Sequence, residues 1–177
     1  MPKTIRRICF TAIGIALYVV LSLCLQVPVF ENYYLCLGYV AMMVYCYHFG
    51  TLEGTAVGVL GVVLYCVLIN GLRGLPGWAA GNLVIGIAVG LTCSMTKRLE
   101  KAALRNLIIA AAVVLSTAVG ILGIKSFVEV LLYGQPMLLR MAKNLYAFVA
   151  DVVVLTVSLP ICIALRRPLQ KLQKESQ

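Results

Sequence analysis

Apolar runs long enough to cross a bilayer recur along this chain, separated by short breaks that carry charge, glycine or proline. A hydrocarbon core of about 30 Å takes roughly 20 helical residues. Six runs fit that length, at 8–27, 33–49, 52–70, 77–96, 105–131 and 141–165. Val27-Pro28 ends the first run and Gly50 divides the second from the third. Lys97, Arg98 and Lys101 mark the break after the fourth, and Gly134-Gln135-Pro136 stops the chain before the sixth. The pattern predicts an all-α integral membrane protein of six transmembrane helices, with 1–177 forming a single domain and no residues left for a water-soluble module.

Composition strengthens this reading. The chain is 62% hydrophobic and 12% charged, with a mean hydropathy of +1.00, whereas a soluble domain is about half apolar and about a quarter charged. The net charge of +9 would point to nucleic acid in a soluble protein. Here the basic residues flank the apolar runs instead of sharing a face with aromatics, so no nucleic-acid partner is expected. Lys3, Arg6, Arg7, Lys97, Arg98, Lys101, Arg105, Arg166, Arg167, Lys171 and Lys174 fall on one side of the predicted membrane. The other side has Arg73, Arg140 and Lys143, and Lys125 lies within a span. The imbalance places both termini in the cytoplasm. The first run has a basic flank but no A-x-A pattern after it, so it reads as a mature helix and not as a signal peptide.

Small residues stand four apart in several spans: Ala12 and Ala16, Gly54 and Gly58, Gly77 and Gly81, Gly86 and Gly90. Each pair shares a helix face on which a second backbone can approach closely, and packing inside the bundle is the plain reading for most of them. The seven cysteines are scattered through apolar segments without any CxxC and read as small packing residues.

No catalytic constellation emerges, and neither a metal nor a cofactor is expected. The glycines of NGLRGLPGWAAGN (70–82) lack the GK[ST] of a phosphate loop. The single histidine, His48, lies at the inner end of the second span, and paired metal-ligand spacings are absent. What remains is a set of polar and aromatic residues around the predicted outer face: Asn70, Arg73, Trp78, Asn82, Glu129, Asn144 and Asp151. An ionised group at the centre of a span costs about 2.5–3.5 kcal/mol, so such groups face a cavity or a partner. Asp151 follows Asn144 by two helical turns and is either a ligand contact or a hydrogen bond to another helix. Lys125 and Glu129 are an i,i+4 pair that either contacts ligand or satisfies itself near the boundary. Arg73 fits a rim charge as well as a ligand contact. With Trp78, Tyr133, Tyr146 and the Tyr33-Tyr34 pair as stacking surfaces, the set has the make-up of an outward-facing pocket for a planar heterocycle.

Several motifs extend the picture by likeness. TAIGIALYVV in the first helix, YHFGTLEGTAVGVLG between the second and third, Trp78 leading into NLVIGIAVGL, and LLYGQP before the sixth together resemble the substrate-binding S components of energy-coupling factor (ECF) vitamin transporters. The likeness spans nearly the whole chain and is strongest to the riboflavin-type and thiamine-precursor-type branch. It implies a prokaryotic cell-membrane protein that captures a vitamin-like heterocycle outside. It also implies that Ala12 and Ala16, matching the family's AxxxA face, dock on a transmembrane coupling protein driven by two cytosolic ATPases, and that the S component topples to release its ligand inside. In that branch an acidic or basic residue stands near the outer end of the third helix. Here 65–70 offers Tyr65 and Asn70, so the substrate's identity does not carry over. A self-sufficient secondary transporter, with Asp151 at a coupling-ion site, and a scaffold without a small-molecule ligand are the alternative classes.

Overall fold

The computed structural model describes residues 3–24, 27–30 and 33–175, with side chains at 4–24, 35–69, 71, 72, 74–166 and 168. Helix α1 (Lys3–Cys24) leads into a hairpin of two short antiparallel strands, β1 (Val27–Phe30) and β2 (Tyr33–Leu35). Then come α2 (Gly38–His48), α3 (Thr51–Tyr65) with a π-helical extension at Cys66–Asn70, a 3-10 turn at Leu72–Gly74 and α4 (Leu75–Thr96). A continuous helical rod follows, made of α5 (Ala102–Thr117), a π-helical stretch at Ala118–Lys125 and α6 (Ser126–Tyr133). The chain closes with α7 (Met137–Glu175).

Five helical stretches among the described residues are long and apolar enough to cross a membrane: Thr4–Cys24, Thr51–Ile69, Leu75–Thr96, Ala102–Tyr133 and Met137–Arg166. Their outer surfaces carry large apolar side chains such as Leu52, Met95, Leu107, Leu115 and Leu131, each more than half exposed. Burying one such side chain is worth about 1.5–3 kcal/mol, so lipid and not water is the solvent for this surface. The protein is a multi-pass membrane protein.

The second predicted span needs correction. Instead of a helix over 33–49, residues 33–35 pair as a strand with the segment after α1, and α2 has only 11 residues. At 1.5 Å per residue it covers about 16 Å, roughly half the hydrocarbon thickness. The segment VPVF…YYL is rich in β-branched and aromatic residues and holds Pro28, which has no N–H to give to a helix. The described part of the first helix runs to Cys24, and Val27 already lies in a strand; the all-α class holds, as six helical rods with one small hairpin beside them.

Short α2 sits at the centre of the bundle, against α1, α3, α4 and α7. Tyr39, Ala41, Met42, Met43, Tyr45 and Cys46 are all buried, and a helix apolar on every side belongs in an interior. Three of the four small-residue pairs make this packing possible. A Cβ on Gly54 would meet Cys46, and one on Gly58 would lie 2.5 Å from Met42 Sδ, so α3 touches α2 nearly backbone to side-chain stem. Gly86 and Gly90 bring α4 against Thr55 and Thr51 of α3, and Gly77 and Gly81 bring it against Lys125 and Gly120. Ala12 and Ala16 are the exception, since both are exposed on α1.

Gly134 joins α6 to α7 with a φ of +64°, a left-handed conformation open to glycine at little steric cost. Its N–H caps Val130 O at 2.8 Å. Gly71, with φ of +78°, turns the chain between the end of the third rod and α4, and Pro76 sits in the first turn of α4 as expected for a helix start.

Candidate substrate site

Polar side chains concentrate at the end of the bundle that holds the hairpin, the 70–74 turn and the α6–α7 joint. Asn82 lies one turn along α4 from Trp78 and is completely buried. Its Oδ1 accepts from the Tyr39 hydroxyl at 2.7 Å, and its Nδ2 donates to Gly58 O at 2.9 Å and to the Tyr18 hydroxyl at 3.4 Å. One amide thereby ties α4 to α2, α3 and α1. The Trp78 indole N–H donates to the Tyr39 hydroxyl at 2.9 Å, and its ring stands edge-on to Tyr65, with centroids 5.9 Å apart. With its N–H so committed, Trp78 has ring surface to offer a ligand, which suits stacking better than hydrogen bonding. Behind this network Tyr18 and Ser22 both reach the Cys36 thiol, at 3.5 and 3.3 Å.

A second cluster forms where α6 meets α7. Asn144 Nδ2 donates to Ser126 Oγ and to Glu129 Oε2, each at 2.9 Å. The Arg140 guanidinium lies 3.7 Å from the same carboxylate oxygen and 5.0 Å from the centre of the Tyr133 ring. Ser126, Glu129 and Asn144 are all buried. The π-helical stretch contributes to this placement: one extra residue per turn re-phases the rod relative to an ideal α-helix, and Ser126 and Glu129 emerge facing α7. Gly77 lets the rod come close to α4, since a Cβ there would lie 3.1 Å from Glu129 Cγ. Arg140, Asn144 and Asp151 occupy one face of α7. Asp151 is buried beside the Tyr39 hydroxyl, with Lys125 as the opposing charge it feels. Asp151 and Tyr39 thus link the two clusters.

The residues singled out from sequence therefore separate. Trp78, Asn82, Glu129, Asn144 and Asp151 converge at one end of the bundle. The side chains of Asn70, Arg73, Tyr33 and Tyr34 lie outside the described residues. Glu129 meets α7 through Arg140 and Asn144, which spacing within its own helix did not indicate. Tyr146, two residues from Asn144, is 43% exposed. Tyr39, Tyr18, Ser126 and Arg140 are additional members. Arg140 and Asn144 are four apart, the one sequence signal that would have joined them, whereas Tyr39 lay hidden in a run read as uniformly apolar.

At the opposite end, Arg7 Nε donates to the buried carboxylate of Glu53 at 2.7 Å across α1 and α3. Beside this pair runs an open groove of about 400 Å³ lined by Thr11, Ala12, Ile15, Leu52, Ala56 and Leu60, among others. Ala12 is thus on the wall of a surface groove, and Ala16 continues the same exposed face one turn on.

Apolar rods around a polar cluster at one end, with a surface groove at the other, define a multi-pass membrane protein. The chain belongs to the ECF-type riboflavin transporter, S component family, whose model matches residues 3–167. No curated protein matches the chain. The family is one of transporter subunits and not of enzymes, and membership makes this chain an ECF S component of the riboflavin-type branch, a substrate-binding subunit for vitamin uptake.

Proposed function

We propose that the chain is the high-affinity substrate-binding subunit of an ECF-type importer in a prokaryotic plasma membrane, with both termini cytoplasmic and the polar cluster facing outward. The carrying observation is the convergence of Trp78, Glu129, Asn144 and Asp151, drawn from three separate rods, on one end of an otherwise apolar bundle. A flat heterocycle stacks on Trp78 while the α6–α7 cluster supplies directional hydrogen bonds, the usual division of labour in a small-molecule pocket. Asn82 acts from behind, holding Tyr39 and through it the Trp78 ring. Asn70 and Arg73 form part of the outer rim. The family's own description makes riboflavin the first ligand to test.

Delivery depends on a transmembrane coupling protein and two cytosolic ATPases, a reading that family membership supports and that agrees with a sequence lacking the GK[ST] of a phosphate loop. Exposed Ala12 and Ala16 are the docking face for the coupling protein. Small side chains on a lipid-facing surface let a partner helix approach its backbone, and the adjoining groove gives that helix depth to enter. Mass spectrometry of the small molecule that accompanies the purified protein tests the reading. A vitamin or related heterocycle at near-stoichiometric level is expected; protein that carries none and shows no thermal shift with any vitamin would point to a scaffold instead.

A further inference from the structure

The side-chain amide of Asn144 has no freedom in which way round it sits. One of its neighbours, Glu129, presents a carboxylate oxygen, which only accepts. The other, Ser126 Oγ, has its hydroxyl hydrogen committed to Ile121 O at 3.2 Å, so towards Asn144 it also only accepts. Two acceptors on one side demand the NH2 group and turn Oδ1 the opposite way. That oxygen is buried, in a residue 1% exposed, and has no hydrogen-bond partner among the described residues. A buried acceptor left unpaired is costly enough that native structures rarely keep one without a role. Four residues earlier on the same face, Arg140 Nε is likewise buried without a partner.

Building on the proposed substrate site, we infer that Asn144 Oδ1 is the acceptor for a ring N–H of the ligand, and that Glu129 and Ser126 are positioning residues that hold the amide in the accepting orientation. The site is thereby selective for heterocycles with a lactam- or imide-type N–H edge over analogues alkylated at that nitrogen. Glu129 does this without touching the ligand: its Oε2 accepts from the amide and so fixes the polarity of its neighbour. A group able to donate at that position would let the amide turn over and present NH2 to the ligand, a mismatch with a donor. Because Oδ1 is covered in the structure described, the ligand edge reaches it only as the α6–α7 rim opens, and Gly134 at the joint is the backbone position suited to that movement.

The test uses the full chain in detergent and two probes, riboflavin and its derivative methylated at the ring imide nitrogen, with flavin fluorescence quenching as the readout. The wild type is expected to bind riboflavin at least about tenfold more tightly than the methylated probe, the loss typical of a binding site's hydrogen-bonding group left unpaired. In Asn144→Leu, which keeps the branched shape, riboflavin affinity falls about tenfold while that of the methylated probe changes less than about threefold. Glu129→Gln gives the same asymmetry in weaker form, about three- to tenfold. If both probes bind the wild type equally well, the N–H inference is overturned while the binding-subunit reading stands. Riboflavin affinity unaltered by Glu129→Gln would remove the positioning role. Failure of the wild type to bind either probe would overturn the flavin reading of the site and this inference with it. Should Glu129→Gln not survive purification, the wild-type comparison and Asn144→Leu decide the N–H claim between them.

Discussion

Replacing Asn82 with leucine distinguishes a residue that holds the site from one that contacts ligand. The substitution keeps the branched shape of the side chain and removes three hydrogen bonds, to the Tyr39 hydroxyl, Gly58 O and the Tyr18 hydroxyl. Each partner keeps another: Tyr39 still accepts from Trp78, Tyr18 still meets Cys36, and Gly58 O belongs to a helix. The full penalty for an orphaned polar group therefore does not apply. Hydrogen bonds between membrane helices average about 0.6 kcal/mol and those in proteins generally about 1 kcal/mol, which gives roughly 2–3 kcal/mol for the three. For a chain of this size each kcal/mol moves Tm by about 2–4 °C, so ligand-free Asn82→Leu should melt about 4–12 °C below wild type in the same detergent. Trp78→Phe, losing one bond, should fall by about 1–4 °C. A ligand-free Asn82→Leu that melts within about 2 °C of wild type, yet binds ligand much more weakly, would refute the reasoning and make Asn82 a direct contact.

Other substitutions probe separate parts of the account. Trp78→Ala should weaken ligand binding by about tenfold or more, since a stacking aromatic is worth about 0.5–1.5 kcal/mol beyond the area it buries; an unchanged Kd by flavin fluorescence would exclude stacking on this ring. Ala12→Leu and Ala16→Leu should leave ligand affinity and Tm unchanged, because both positions are exposed, while abolishing co-purification with the coupling module and uptake in cells. Equal loss of ligand binding would mean that these alanines serve the internal fold. Gly90→Leu should prevent folding or lower Tm steeply, because even a Cβ there would lie 2.6 Å from Thr51 Cα, whereas Gly74→Ala meets nothing within 4 Å and should be tolerated; comparable effects in a thermal melt would contradict the α3–α4 packing.

Much of the architecture was legible because lipid imposes a simple rule: every long span must be apolar and helical, and its ends must be marked. The breaks at Gly50, Lys97 and Gly134 fall where the helices end. The second span was misread because hydropathy counts apolar residues without asking whether they are helix formers, and 33–35 join a hairpin instead. The π-helical stretches at Cys66–Asn70 and Ala118–Lys125 leave no mark on composition, yet the second alters the facing of everything after it. Glu129 meets Arg140 and Asn144 of α7, partners that spacing within its own helix does not indicate. Sequence singled out Asn82 and Trp78 as polar groups at one membrane face, and the structure brings both to one end of the bundle around Tyr39. It could not separate their roles, because that depends on Tyr39, whose neighbours come from three other helices.

The central claim, that this chain binds substrate but depends on partners to move it, is tested most directly by uptake of labelled riboflavin into cells that express the chain with or without the ECF coupling protein and its ATPases. Uptake only when all components are present, insensitive to dissipation of the ion gradients while ATP is maintained, is the predicted result. Uptake by the chain alone that collapses with the ion gradient would contradict it and identify a self-sufficient secondary transporter.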